Sequence, residues 1–371
     1  MSRRKRALWI GGAIVLAVAV LAVAGTRTGR YIARATIEEM RILHARQTIH
    51  AVIADSAITP LTRGKLELVL AAREFADEAL GLRTGASYTT FSQLERDTLV
   101  LVLNGARRDR LERVTWWFPI VGTVPYKGFF DFAQARREAE RMAEDGYDPY
   151  LRPASAFSTL GFFNDPLLSS TLRQDSIQLA GTVIHELTHN TFYAPGSAIF
   201  IESFANFAGQ QGAIRFFAAR GDTASARRAA ARWEDDKALS RYYGLLYGAL
   251  DSAFTALPDD SLARLAARDV IYMRMHRVLM DSIAPSIRTI PREALERLRL
   301  NNASLLARRV YTTDLSLFDA VLAREGGDLP RALAAVLEIA RSNAREPFEA
   351  LRASVGGGER RAGIDRSSLP P

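Results

Sequence analysis

The segment GTVIHELTHNTFYAPGSAIFIESFANFAG, Gly181 to Gly209, restricts what this chain can fold into more than any other. His185 and His189 are four apart, so on a helix they share one face, one turn apart, and both imidazoles reach a single metal ion. Glu186 lies beside that face. Two imidazoles make an incomplete site, and the residues after them offer a third ligand. The pattern predicts a first helix over about 176–193, a break at Ala194-Pro195-Gly196-Ser197, and a second helix capped by Ser197, the pair of metal helices spanning 176–219. His189 precedes the break by about four residues and Glu202 lies about five beyond the cap. At ~1.5 Å per residue, helices that fold back on each other bring the two level. Phe200, Phe204 and Phe207 are expected to pack around Glu202, whose burial in so apolar a segment calls for a compensating charge.

A His, His, Glu set is the open three-ligand arrangement of catalytic zinc sites. It implies one zinc per chain held by His185, His189 and Glu202. Glu186 is then the general base, taking a proton from water and passing it to a departing amine, with a peptide as substrate. Asn206, one turn beyond Glu202, is a candidate partner for a ligand or equally a packing amide. Tyr193, Tyr243, Tyr247, His276 and Tyr311 are all available to steady an oxyanion, and the sequence does not choose among them. SAFSTLGFF, ahead of the metal helix, suits an edge strand that pairs with substrate backbone.

The rest of the chain decides where such a site sits. Its 371 residues are 48% hydrophobic and 24% charged, as a folded chain with a core requires. The net charge of +8 sits mostly near the ends, and no basic run is interleaved with aromatics, so nucleic acid is not an expected partner. With no cysteine, disulfide partners and thiolate ligands are excluded. Residues 1–6 are a basic n-region. Residues 7–25 are uncharged and apolar, about the length of a membrane span. They read either as a transmembrane anchor or as a signal peptide cleaved after Ala22-Val23-Ala24; both export the remainder of the chain.

An amphipathic juxtamembrane helix is expected over 26–55, either between membrane and domain or packed on the domain. Beyond it, 56–355 is expected to form the catalytic domain. Within it the pattern predicts a helix over about 60–82, a strand near 98–104, strand-like residues over 113–126, a helix over 130–148 and a strand from 148 to 163. From about 213 onward it is helix-rich. Residues 356–371 read as a disordered tail.

The ordered series of motifs resembles a bacterial family of predicted aminopeptidases, gluzincin-type zinc metallopeptidases often found as envelope lipoproteins. The resemblance is carried by WFPIVGTVPYKGFFD (Trp117–Asp131), residues Gly146–Leu172, HELTHNTFY, FIESFANFAGQQG (Phe200–Gly212) and NNASLLARRVY (Asn301–Tyr311). It implies an α+β fold: a zincin-like core of small sheet plus HExxH helix, a largely helical C-terminal half and, here, an N-terminal transmembrane helix. It also implies His185, His189 and Glu202 as ligands and Glu186 as base. Three departures stand out: no lipobox cysteine, Trp117 and Thr123 where the family carries cysteines, and Ile201 where asparagine is usual. The expected location is a bacterial inner membrane, single pass, with the catalytic domain in the periplasm or envelope, or a secreted periplasmic form if the leader is cleaved. A non-catalytic zinc-binding scaffold and a zinc hydrolase of a non-peptide amide share these features.

Overall fold

The computed structural model describes residues 27–118, 122–154, 166–192 and 197–362. The chain enters through α1 (Arg27–His44), β1 (Gln47–Thr48), α2 (Ile49–Ala54) and α3 (Pro60–Glu78). Short strands come next: β2 (Thr90–Ser92), β3 (Leu101–Arg107), β4 (Trp116–Phe118), β5 (Gly122–Val124) and β6 (Lys127–Phe129). Helix α4 (Phe132–Glu144) leads to β7 (Tyr147–Pro153) and β8 (Leu167–Leu168). The remainder is helical: α5 (Ser176–Thr191), α6 (Ala198–Ala219), α7 (Thr223–Ala256), α8 (Ser261–Val278), α9 (Arg292–Glu296), α10 (Asn302–Thr312), α11 (Leu315–Arg324), α12 (Leu329–Ser342) and α13 (Pro347–Ala362).

The architecture is mixed α+β with small sheets. β3 is the centre of an antiparallel trio, β6-β3-β7, in which Leu103 faces both Lys127 and Leu151. β2 pairs antiparallel with β1 and parallel with β8, and β4 and β5 form a hairpin. The largest core lies among the helices: Leu66, Val69, Ala72 and Ala76 of α3 meet Ile177, Val183, Ile184 and Leu187 of α5 and the aromatic face of α6. A second core joins the far half of α7 to α8, through Tyr242, Leu246, Leu250, Met275 and Leu279. Between them α10 lies on the sheet, with Ala303 and Leu306 against Ala106 of β3. Helix α10 thus packs both on the sheet and on α6.

Several sequence expectations shift. The helix expected over 26–55 is broken after His44, where β1 pairs with β2 before α2 begins. Ile42 is buried with Val100 and Phe130, and the Tyr31 ring packs on Phe129, so this segment lies on the sheet. The tail expected to be disordered from Gly356 is helical through Ala362, because α13 continues across the glycines. No helix among the described residues is long and apolar enough to cross a membrane; residues 7–25 lie outside them. So do residues 155–165, where the edge strand was expected, and Tyr193 with the turn after it.

Candidate metal centre

Helix α5 begins at Asp175, whose carboxylate accepts from the backbone N–H groups of Ile177 and Gln178. Arg232 of α7 grips the same carboxylate with two bonds, of 2.9 and 2.6 Å, tying the start of the metal helix to its neighbour. At its other end, the backbone N–H of Arg83 donates to the Thr191 hydroxyl and its guanidinium to the Thr191 carbonyl. Buried Ile177, Ala180, Val183, Ile184 and Leu187 face the core, and His185 and His189 turn toward Glu202 of α6.

Helix α6 is anchored from behind. Phe200, Phe204 and Phe207 were expected around Glu202, but at about 100° per residue they emerge roughly opposite it. There they pack on Phe318 and Phe348 of α11 and α13. Ser197 precedes α6 as expected, yet makes no cap; its hydroxyl donates to the Ala344 carbonyl. The two metal helices approach closely at Gly181 and Gly209. A Cβ built on Gly209 would lie 2.6 Å from the Gly181 carbonyl oxygen and 3.1 Å from the His185 Cβ.

This approach brings three donor atoms together. His185 Nε2 lies 3.3 Å from His189 Nε2 and 3.3 Å from Glu202 Oε2, and His189 Nε2 lies 3.6 Å from the same oxygen. A triangle with these sides has a circumradius of about 2.0 Å, the length of a zinc bond to imidazole nitrogen or carboxylate oxygen. Two nitrogens and one oxygen also suit a borderline transition metal better than calcium or magnesium, which prefer oxygen alone. Among the described residues this is the one group of histidine and acidic side chains so disposed. Its electrostatics favour a cation. Burial opposes the charged form of Glu202, yet His185 and His189 outweigh it and hold the carboxyl down to about 2. Burial likewise disfavours charge on His189, but Glu202 and then Glu186 raise its imidazole overall. A proton and a metal ion therefore compete for one electron-rich pocket.

Comparison with protein families matches residues 30–351 to one described as "Putative aminopeptidase". The chain belongs to this family. No curated protein and no solved structure matches.

For this aminopeptidase-family protein the geometry also sorts the softer candidates. Tyr311, at the end of α10, sits with its ring 6.3 Å from that of His185. Burial, with Glu202 adding to it, pushes its hydroxyl up to about 12, so it stays a proton donor at neutral pH. Asn206 donates to the Tyr311 carbonyl at 3.1 Å, so its amide ties α6 to α10, and no described hydrogen bond joins it to His185, His189 or Glu202. Tyr247 instead lies under Arg309, at 3.9 Å, and Tyr243 beside Arg308. His276 is on α8, in the second core's helix. No described ring contact or ion pair links these three residues to the triad. Two neighbours were missed in the sequence: Tyr126, between β5 and β6, and Arg152 on β7. Burial and then Glu202 push the Tyr126 hydroxyl up, while Arg152 opposes. The available signal was weak, a charged residue alternating with Tyr150 on a half-buried strand.

The glycine crossing yields a direct test. Gly209→Ala is expected to force α5 and α6 apart, costing about 1–3 kcal/mol as overpacking does and lowering metal affinity by at least about tenfold, since ligand spacing shifts. Gly244 and Gly248 on α7 have open space at the Cβ position, so alanine there should leave metal affinity unchanged. Thermal melts and competitive metal titration of the three variants check this; equal behaviour would remove the crossing as the spacer of the site.

Proposed function

We propose that this protein is a zinc-dependent aminopeptidase, and the observation that carries the reading is the convergence of His185, His189 and Glu202 within 3.6 Å, with Glu186 on the same helical turn. Membership of the aminopeptidase family supports the reaction class. When bound, zinc supplies Lewis acidity to a water and to the scissile carbonyl. Glu186 takes the water's proton and returns it to the departing amine, and the Tyr311 hydroxyl donates to the oxygen that gains charge as the carbonyl is attacked. The His189 imidazole, raised by Glu202 and Glu186, must be neutral to bind metal, so activity should fall as pH drops and it protonates. We read residues 7–25 as the anchor that holds the domain on the outer face of a bacterial inner membrane; its apolar length and the basic cluster before it support this.

The deciding experiment incubates the zinc-loaded full-length protein with a peptide library in free and acetylated N-terminal forms. Release of the first residue from free peptides alone is the expected result. Equal cleavage of both forms would remove the N-terminal requirement. No cleavage of any peptide, with zinc bound, would favour a scaffold or a hydrolase of another amide.

A further inference from the structure

We propose that Arg308 and Arg152 form an anion subsite beside the metal centre that captures the free C-terminal carboxylate of a short peptide. The inference rests on the peptidase reading and narrows its substrate class to peptides whose chain ends shortly after the scissile bond.

Two arginines beside Tyr311 lack a carboxylate partner. Nearby, Arg268 and Arg108 are matched to Asp148 and Arg264 to Asp109, whereas Arg113 is held by the Leu306 carbonyl and Arg309 lies on the Tyr247 ring. Arg308 and Arg152 form no ion pair among the described residues. The buried Nε of Arg308 has no hydrogen-bond partner, and the guanidinium lies 6.0 and 5.9 Å from the Tyr150 and Tyr243 ring centroids. Arg152 makes one long bond, to the Pro153 carbonyl at 3.4 Å, and its other neighbours include the hydroxyls of Tyr311 and Tyr126. A partly buried guanidinium without a counter-charge is costly, and a ligand carboxylate that supplies both charge and acceptors offsets that cost.

Their placement faces the reaction centre. Tyr150 and Arg152 alternate on one face of β7, and Arg308 and Tyr311 are one turn apart on α10, which packs against that strand. Arg152 adjoins the Tyr311 hydroxyl, and Tyr311 adjoins His185. Arg308 is about 4.5 Å further along the helix axis. An extended peptide advances ~3.4 Å per residue, so a chain ending one or two residues beyond the cleaved bond has its carboxylate within the span of the two cations. Arginine forks pair with carboxylates through two parallel bonds, which gives orientation as well as charge.

Binding is measured by calorimetry on the full-length, zinc-loaded Glu186→Gln protein, so that turnover does not intervene. The probes are trialanine, trialanine amide and Ala-Ala-Asp amide. Trialanine is expected to bind about 10- to 100-fold more tightly than its amide, the size of a charge-assisted contact. Arg308→Gln and Arg152→Gln should each cut that preference about tenfold, and Arg308→Lys should restore part of it. Thermal melts check folding; if Arg308→Gln does not fold, Arg152→Gln on the strand carries the test. Equal affinity for acid and amide, or a preference unchanged in the variants, overturns the subsite. Tighter binding of Ala-Ala-Asp amide than of trialanine overturns its assignment to the chain terminus. Wild-type hydrolysis is scored separately: acid-selective binding without turnover supports the subsite and rejects the peptidase reading, whereas turnover of acid and amide alike does the reverse.

Discussion

Glu202→Ala is expected to reduce bound zinc from about one per chain to a small fraction, with affinity falling by more than the 10- to 100-fold typical of losing an outer partner. Two imidazoles of one helix then hold the ion alone, and the negative charge that offsets it is gone. The same loss should appear in stability. A ligand at 100 times its Kd adds about 2.7 kcal/mol to a native state that alone binds it, so zinc should raise the melting temperature of the wild type and leave Glu202→Ala nearly unmoved. Atomic absorption after dialysis and melts with and without zinc measure both. Unchanged metal content in the variant would mean that α6 does not supply the ligand, and the 3.3 and 3.6 Å approaches of its carboxylate to the two histidines would be an ordinary ion pair.

Glu186→Gln separates chemistry from binding. It keeps the size and polarity of the side chain and removes its basicity, so zinc content and melting temperature should match the wild type. The rate of peptide cleavage should fall by about 100- to 10,000-fold, the range for a positioned general base. The loss should be in kcat, because Glu186 acts on water in the transition state. A variant that retains wild-type kcat would assign the proton transfer elsewhere. A variant that loses metal would make Glu186 part of the metal's support.

The two metal helices are legible in the sequence because every signal for them is local. A four-residue histidine spacing, the Ala194-Pro195-Gly196 break and the apolar run after Ser197 each report on neighbouring residues. The helix bounds agree to within about two residues. The differences all depend on facing. Phe200, Phe204 and Phe207 share a helix with Glu202 but point away from it, and only the packing of α11 and α13 gives that side its partner. Asn206 stands one turn from Glu202, yet its bond goes to α10, over a hundred residues later. The helix expected across 26–55 is broken by pairing with β2, a long-range hydrogen-bonding demand that overrides local amphipathic pattern.

The sequence by itself determined the donor chemistry: two imidazoles and a carboxylate on consecutive helices, with a second carboxylate beside them. Side-chain identity and helical period suffice for that. Only the tertiary structure decided the spacing and the surroundings. The backbones of α5 and α6 approach at Gly181 and Gly209, where a Cβ on Gly209 would collide with the Gly181 carbonyl, and this closeness sets the gaps between His185, His189 and Glu202. The arrival of α10 and β7 from distant parts of the chain brings Tyr311 beside His185 and sets Tyr126, Arg152 and Arg308 around it, roles that their place in the sequence does not mark. Such neighbours meet because buried surfaces from separated segments must be matched, and that matching has no local period to read.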